Sequence, residues 1–296
     1  MVGHLVRLGC VEVPSDAVLP TVGSKELVAW LPTLLGLGAG DVVVHPSLAY
    51  PTYDVGARLA GAAPVPVDPG DLPLFDGVRL VWLNSPANPN GAVLDVDAMR
   101  EVVDWAREHD AIVASDECYA ELAWDAEPVS VLHPDVCGGS PDGLLVVNSL
   151  SKRSNLAGYR AAYVAGDPEL VARLLEVRKH AGMIVPAPVQ AAMTAALDDD
   201  AHVVAQREVY RRRRGVLLDA LRGAGLRVED SHAGLYLWVT RDEPCMDTVA
   251  WFAEQGILVA PGDFYGTAGA RHVRVALTAT DERVDAAASR LASRSA

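Results

Sequence analysis

No run of eighteen uninterrupted apolar residues occurs in the chain, which argues against a membrane-spanning helix. Cysteine is scarce. Cys10, Cys118, Cys137 and Cys245 are scattered, with neither a C-x-x-C pair nor a histidine at metal-ligand spacing. That pattern excludes a disulfide scaffold, offers no metal site and fits reduced thiols in a cytoplasmic protein. Residues 1–10 lack the apolar stretch and small-residue cleavage site of a secretory signal. Basic residues are in deficit as well, 25 Lys and Arg against 39 Asp and Glu, for a formal net charge of -14. A surface that negative repels phosphate backbones and anionic lipid, so neither nucleic acid nor a membrane is an expected partner. Residues 211–214, all arginine, oppose that balance and read as the solvated face of a helix.

What is present suffices for a large core: 296 residues, half of them apolar and 22% charged. Nearly continuous apolar runs at residues 41–45, 78–84, 111–115, 144–148 and 161–165 read as strands covered on both faces. Helical patterns at 24–35, 50–59, 96–109 and 169–180 separate them, which predicts βαβ units. In the third of these, Met99, Val102, Val103 and Ala106 fall on one side. Past residue 198 the character changes. Residues 201–222 predict one long helix stopped by Gly223 and Gly225, followed by strands at 235–240 and 273–278 and helices at 247–254 and 282–292. The expected organisation is α/β. A mainly parallel sheet with helices on both faces fills residues 1–197, and the linking helix and a smaller α+β domain fill residues 198–296.

Three strand ends carry residues suited to one chemistry. After the apolar run at 144–148 comes Ser149-Leu150-Ser151-Lys152-Arg153-Ser154, with Arg160 eight residues beyond the lysine. An amine flanked by small hydroxylated residues at a strand's carboxyl end can form an imine with an aldehyde cofactor, and Arg160 offers a two-pronged donor for a phosphate. Taken alone, the string is equally readable as a surface loop. Ser115-Asp116-Glu117-Cys118-Tyr119 ends another apolar run. A carboxylate there can keep a pyridine nitrogen protonated and a phenol can bond a ring oxygen, as pyridoxal phosphate needs; otherwise Asp116 caps a helix and Tyr119 packs. Asn84-Ser85-Pro86-Ala87-Asn88-Pro89-Asn90-Gly91 follows a third run, and its turn can present the Asn88 amide. Gly23-Ser24-Lys25-Glu26 opens a helix, where amide groups, a hydroxyl and an ammonium make a phosphate seat or a plain cap. Tyr50 is a ring that stacks on a cofactor or packs in the core.

The order and spacing of these strings resemble a fold-type I, pyridoxal-phosphate-dependent aminotransferase of class I/II, from about Asp16 onward. S-K-R-S-N-L-A-G-Y-R, with D-A-V-L-P-T-V-G-S-K-E-L-V-A-W-L-P, resembles the actinobacterial N-succinyldiaminopimelate aminotransferases. The resemblance implies a seven-stranded-type sheet, a homodimer, an amino-acid donor and a 2-oxo acid acceptor such as 2-oxoglutarate. It assigns the cofactor's covalent link to Lys152 and the pyridine nitrogen to Asp116, with Tyr119 completing the catalytic set. Asn88 and Tyr119 match the ring-oxygen contacts, Tyr50 the stacking ring, and Ser24, Lys25, Ser149, Ser151 and Arg160 the phosphate contacts beside Gly23. Arg274, in His272-Val273-Arg274-Val275-Ala276, matches the arginine for the substrate carboxylate, with Asn88 beside it. Family members carry a long segment ahead of the phosphate seat that residues 1–15 do not match, so the chain is expected to be truncated at its N-terminus. A β-lyase, a broader aminotransferase and a non-catalytic remnant stand as alternatives. Arg153 and Arg58 are candidate cations for a distal substrate carboxylate.

Overall fold

The structure is a computed structural model that describes residues 1–68, 71 and 76–293. Among them, seven strands form one sheet: β1 (Val18–Val22), β2 (Val42–Pro46), β3 (Ala63–Val67), β4 (Val78–Asn84), β5 (Ile112–Asp116), β6 (Leu144–Ser149) and β7 (Ala161–Gly166). Their order is β1-β7-β6-β5-β4-β2-β3. The pairings from β3 through β6 are parallel, whereas β7 is antiparallel to both β6 and β1. The mainly parallel expectation holds, with one reversed strand. β1 and β3 escape a reading of apolar runs because Val18–Val22 contains Pro20 and Ala63–Val67 contains Pro64 and Pro66. Proline cannot donate to a ladder and is tolerated at sheet edges, and these are the two edge strands.

Strand residues alternate between two apolar layers. Val81, Leu83 and Val146 face Met99 and Val103 of the helix Val96–Glu108 and Met193 of the helix Ala187–Leu197. Leu80, Trp82, Leu145 and Val147 face Leu27 and Leu31 of Ser24–Leu34, Tyr53 and Ala57 of Thr52–Ala60, and Leu174 of Pro168–His180. The helices Val2–Arg7 and Ala187–Leu197 had no counterpart among the predicted elements. Gly56 lets two of the helices meet closely, since a Cβ there would lie 2.8 Å from the Val28 carbonyl oxygen. No helix among the described residues is long and apolar enough to cross a membrane.

A second, antiparallel sheet of four strands, in the order β10-β11-β9-β8, comprises β8 (Arg227–Glu229), β9 (Tyr236–Thr240), β10 (Ala260–Pro261) and β11 (His272–Ala276). Leu237, Val239, Val273 and Val275 pack with Leu217 and Leu221 of the long helix Ala201–Gly223 and Val284 of Asp281–Ala292. The arginine run on that helix is more than a solvated face. The Arg213 side chain is 13% exposed and bonds Asp281, and Arg214, 15% exposed, pairs with Asp125 and the Ser231 carbonyl. They tie the long helix to both sides of the molecule.

The buried Arg178 donates to both carboxylate oxygens of Glu26, at 2.9 and 3.0 Å, clamping Pro168–His180 to the helix Ser24–Leu34. Removing one partner of such a pair strands the other charge. Arg178→Ala is expected to lower unfolding stability by about 3–5 kcal/mol in urea titration. An unchanged midpoint would show that the clamp contributes nothing.

Candidate active site

Parallel strands end at a common edge, so β4, β5 and β6 deliver their last residues to one place. Asn84 lies opposite Asp116, Asp116 lies opposite Val147, and β6 then ends at Ser149. The Asn84 side chain binds the turn that follows it. Its Nδ2 donates to the Asp116 carbonyl at 3.0 Å and the Pro86 carbonyl at 3.2 Å, while its Oδ1 accepts the Asn88 N–H at 2.9 Å. Ser149 caps the short helix Leu150–Arg153 by accepting the Ser151 N–H, and that helix carries Lys152.

A cavity of about 290 Å³ opens at this edge. Of the residues singled out in the sequence, Ser24, Lys25, Tyr50, Asn88, Asp116, Tyr119, Ser149, Ser151, Lys152 and Arg274 line it. Gly23 and Arg160 do not, but they touch one another beside Ser24. Gly23 has φ +78, and a Cβ on it would fall 2.0 Å from the Arg160 guanidinium, so the cation occupies the space a side chain would take. The Lys25 ammonium donates to the Tyr50 hydroxyl at 2.7 Å and lies 4.7 Å over the ring.

Asp116 accepts the Tyr53 hydroxyl at 3.0 Å and the Cys118 N–H at 3.2 Å. Burial pushes its carboxyl up, while the bonds from Cys118 and Tyr53 and the nearby Lys152 pull it back. Burial also pushes the Tyr53 hydroxyl well above its ordinary value, with Asp116 adding to the effect, so Tyr53 stays a donor. Arg274 reaches over from β11 and donates to the Asn88 side chain at 2.9 Å. Its guanidinium lies 3.7 Å from the ring centre of Tyr236 and 5.0 Å from that of Tyr265. Its Nε is buried without a partner, and a donor left that way calls for an acceptor from outside the chain.

Two residues without a part in the sequence reading belong here, Tyr53 and Tyr236. Tyr53 stands in the same short string as Tyr50 and reaches the cavity from the first turn of the helix Thr52–Ala60. Tyr236 reads only as a strand residue until β9 is set beside β11. The proposed distal cations are both spent. Arg153 is buried with Glu121, Asp200 and the Ala196 carbonyl, and Arg58 is an exposed partner of Asp54 on its own helix.

Sheet order, strand-edge cavity and donor set together define an α/β fold of the fold-type I aminotransferase kind. The chain belongs to the aminotransferase class I and II family, whose model matches residues 8–291. Enzymes of this family use pyridoxal phosphate. The chain is 65% identical over 285 residues to the Mycobacterium tuberculosis protein described as "Probable aminotransferase Rv1178", covering 96% of this chain and 68% of that one. It is 62% identical over 288 residues to the 4-dedimethylamino-4-oxo-anhydrotetracycline transaminase OxyQ of Streptomyces rimosus, covering 96% and 79%. A solved Thermus thermophilus structure, described as a "probable N-succinyldiaminopimelate aminotransferase", superposes with a TM-score of 0.86 at 29% identity, covering 98% and 81%.

The residues fit the cofactor. Lys25, Arg160 and the start of Ser24–Leu34 offer cations and amides for a phosphate, Asp116 a half-buried carboxylate for a ring nitrogen, and Lys152 an amine for an aldehyde.

Behind Asp116, the buried Glu117 accepts the Val131 N–H at 2.8 Å, and its other oxygen has no partner. Burial holds its carboxyl up at about 7, from an ordinary 4.5. A raised acid binds its proton more tightly folded than unfolded, so its stabilising contribution is present below about pH 4.5 and fades as pH climbs through about 7. The loss amounts to about 3 kcal/mol at most. Glu117→Gln is therefore expected to gain on the wild type between pH 5 and pH 8 in thermal melts. An equal difference at both pH values would contradict the shift.

Proposed function

We propose that the chain transaminates N-succinyl-LL-2,6-diaminopimelate, passing its amino group to 2-oxoglutarate, with Lys152 holding pyridoxal phosphate. One observation carries this reading: Lys152, Asp116, Asn88 and Arg274, from four separate elements, meet in a single cavity. Bound there, the pyridoxal ring supplies the electron sink that lets bonds at a substrate's Cα break. Asp116, kept in place by Tyr53, would face the ring nitrogen. Asn88 and Tyr119 would address the ring oxygen, and Tyr50 would stack on the ring. Gly23, Ser24, Lys25, Ser149, Ser151 and Arg160 seat the phosphate. Arg274, with its unpaired Nε, takes the substrate α-carboxylate and turns the Cα–H bond toward the Lys152 amine, the base at that carbon. The amino group leaves the donor as the donor becomes an oxo acid, and the acceptor takes it up, so no outside oxidant is needed. The reading includes a symmetric homodimer.

The succinylated donor rests on the S-K-R-S-N-L-A-G-Y-R resemblance and on the Thermus likeness. A second reading has its own support: the 62% identical Streptomyces relative is described as a transaminase of an oxo-anhydrotetracycline. The exposed Phe264 packs edge-on to Tyr50, their ring centres 6.0 Å apart, and provides an aromatic rim for a larger cyclic ketone.

The lysines of this chain are Lys25, Lys152 and Lys179, so covalent attachment is simple to map. Borohydride reduction of the cofactor-loaded protein is expected to label Lys152 alone, and Lys152→Ala to abolish multiple-turnover transamination. Label on Lys25, or sustained turnover by the variant, would overturn the assignment. Amino donors screened against 2-oxoglutarate test the first substrate, and cyclic ketones screened as acceptors with glutamate test the second. Pyruvate released from a cysteine conjugate without any acceptor would point instead to a lyase.

A further inference from the structure

We propose that Tyr236 is a positioning residue of the transamination site: its hydroxyl stands between Tyr119 and Lys152, and its ring seats the guanidinium of Arg274. The inference rests on the roles given above to Lys152 and Arg274.

Tyr236 opens β9, where it pairs with Ala276, while Arg274 pairs with Trp238. The two residues are diagonal neighbours on one face of the antiparallel pair, within reach of an aromatic and a long side chain. The Arg274 guanidinium lies 3.7 Å from the Tyr236 ring centre, and its Nη1 is held by Asn88. Ring and amide together leave the fork little freedom, so its buried, unpaired Nε is presented in one direction. Tyr236 is 9% exposed, lines the cavity, and its hydroxyl lies 3.3 Å from that of Tyr119. One side chain thus touches the group that would bind a carboxylate, the Tyr119 phenol and the Lys152 amine.

The charges around the two hydroxyls differ. Burial pushes Tyr236 up, yet Arg274 and Lys152 outweigh it and bring the hydroxyl below its ordinary value. Burial and the facing Tyr236 hold Tyr119 well above, with Cys118 and Asp116 adding to the effect. The hydrogen bond between them runs from the Tyr119 hydroxyl to the Tyr236 oxygen. An oxygen with that role favours a proton on the neighbouring Lys152 nitrogen. Without it, the Tyr119 hydroxyl gives its hydrogen wholly to the ring oxygen, which it otherwise shares with Tyr236, and that favours proton loss. Both effects act in the same direction.

The test uses cofactor-loaded wild type, Tyr236→Phe and Tyr236→Leu, with circular dichroism to verify folding. The first readout is the pH midpoint of the visible absorbance band; the second is the dissociation constant of maleate, a non-reacting carboxylate, read from the same band. Tyr236→Phe keeps the ring and is expected to lower the midpoint by about 0.5–1 pH unit, the scale of one hydrogen bond, with maleate affinity within about threefold of wild type. Tyr236→Leu is expected also to weaken maleate about tenfold, the scale of a desolvated cation–π contact. An unmoved midpoint in a folded Tyr236→Phe protein overturns the inference while leaving the assignment of Lys152 intact. So does unchanged maleate affinity in Tyr236→Leu. A wild-type protein that takes up no cofactor sinks the reading of the site and this inference with it.

Discussion

The hydrogen bond from Arg274 to Asn88, 2.9 Å long, joins the two sheets at the point where chemistry is expected. Asn88 is positioned by Asn84, the last residue of β4, and Asn84 also holds the Asp116 carbonyl at the end of β5. Arg274 lies in β11 of the small sheet and has no other route to the cavity. The orientation of the small sheet against the strand edge therefore fixes where a carboxylate would sit relative to the Lys152 amine. A shift of about 1 Å in that orientation is enough to spoil such a geometry. The ties of Arg213 and Arg214 from the long helix, one to Asp281 and one to Asp125, hold the same relation from behind.

Much of this was legible in the residues. The buried parallel strands are written as unbroken apolar runs, and each reactive group follows the end of such a run. Reading β4, β5 and β6 was therefore enough to collect Asn88, Asp116 and Lys152 at one edge. What stayed hidden is instructive. The edge strands carry prolines, so their composition speaks for turns although their neighbours hold them extended. Arg153 and Arg178 look like ordinary charged residues, yet both are buried because each meets a carboxylate contributed from far along the chain. Tyr236 has no local signal at all. Its role exists only once β9 and β11 pair, and a pairing register cannot be read from one strand.

The electrostatics of the cavity run against those of the chain. The whole carries a formal charge of -14, yet Lys25, Lys152 and Arg274 line the opening and Arg160 stands beside it. A cofactor that bears a phosphate, or any ligand that bears a carboxylate, meets a concentrated positive field inside a negative surface. Such focusing favours anions that fit the cleft and disfavours polyanions that must lie along the outside. Asp116 is the exception among the lining groups, and burial and nearby donors act on it in opposite directions.

Those opposed pressures explain why the site is built from tyrosines. Tyr53, Tyr119 and Tyr236 each add buried apolar area while ending in a hydroxyl with a polar partner, Asp116 for the first, Tyr236 for the second and Lys152 for the third. A phenylalanine in these places would pack as well but leave the carboxylate and the amine with fewer partners. A serine would bond as well but open a void. The aromatic hydroxyl satisfies both demands, and the layer between the two sheets can stay closed around groups that must remain polar.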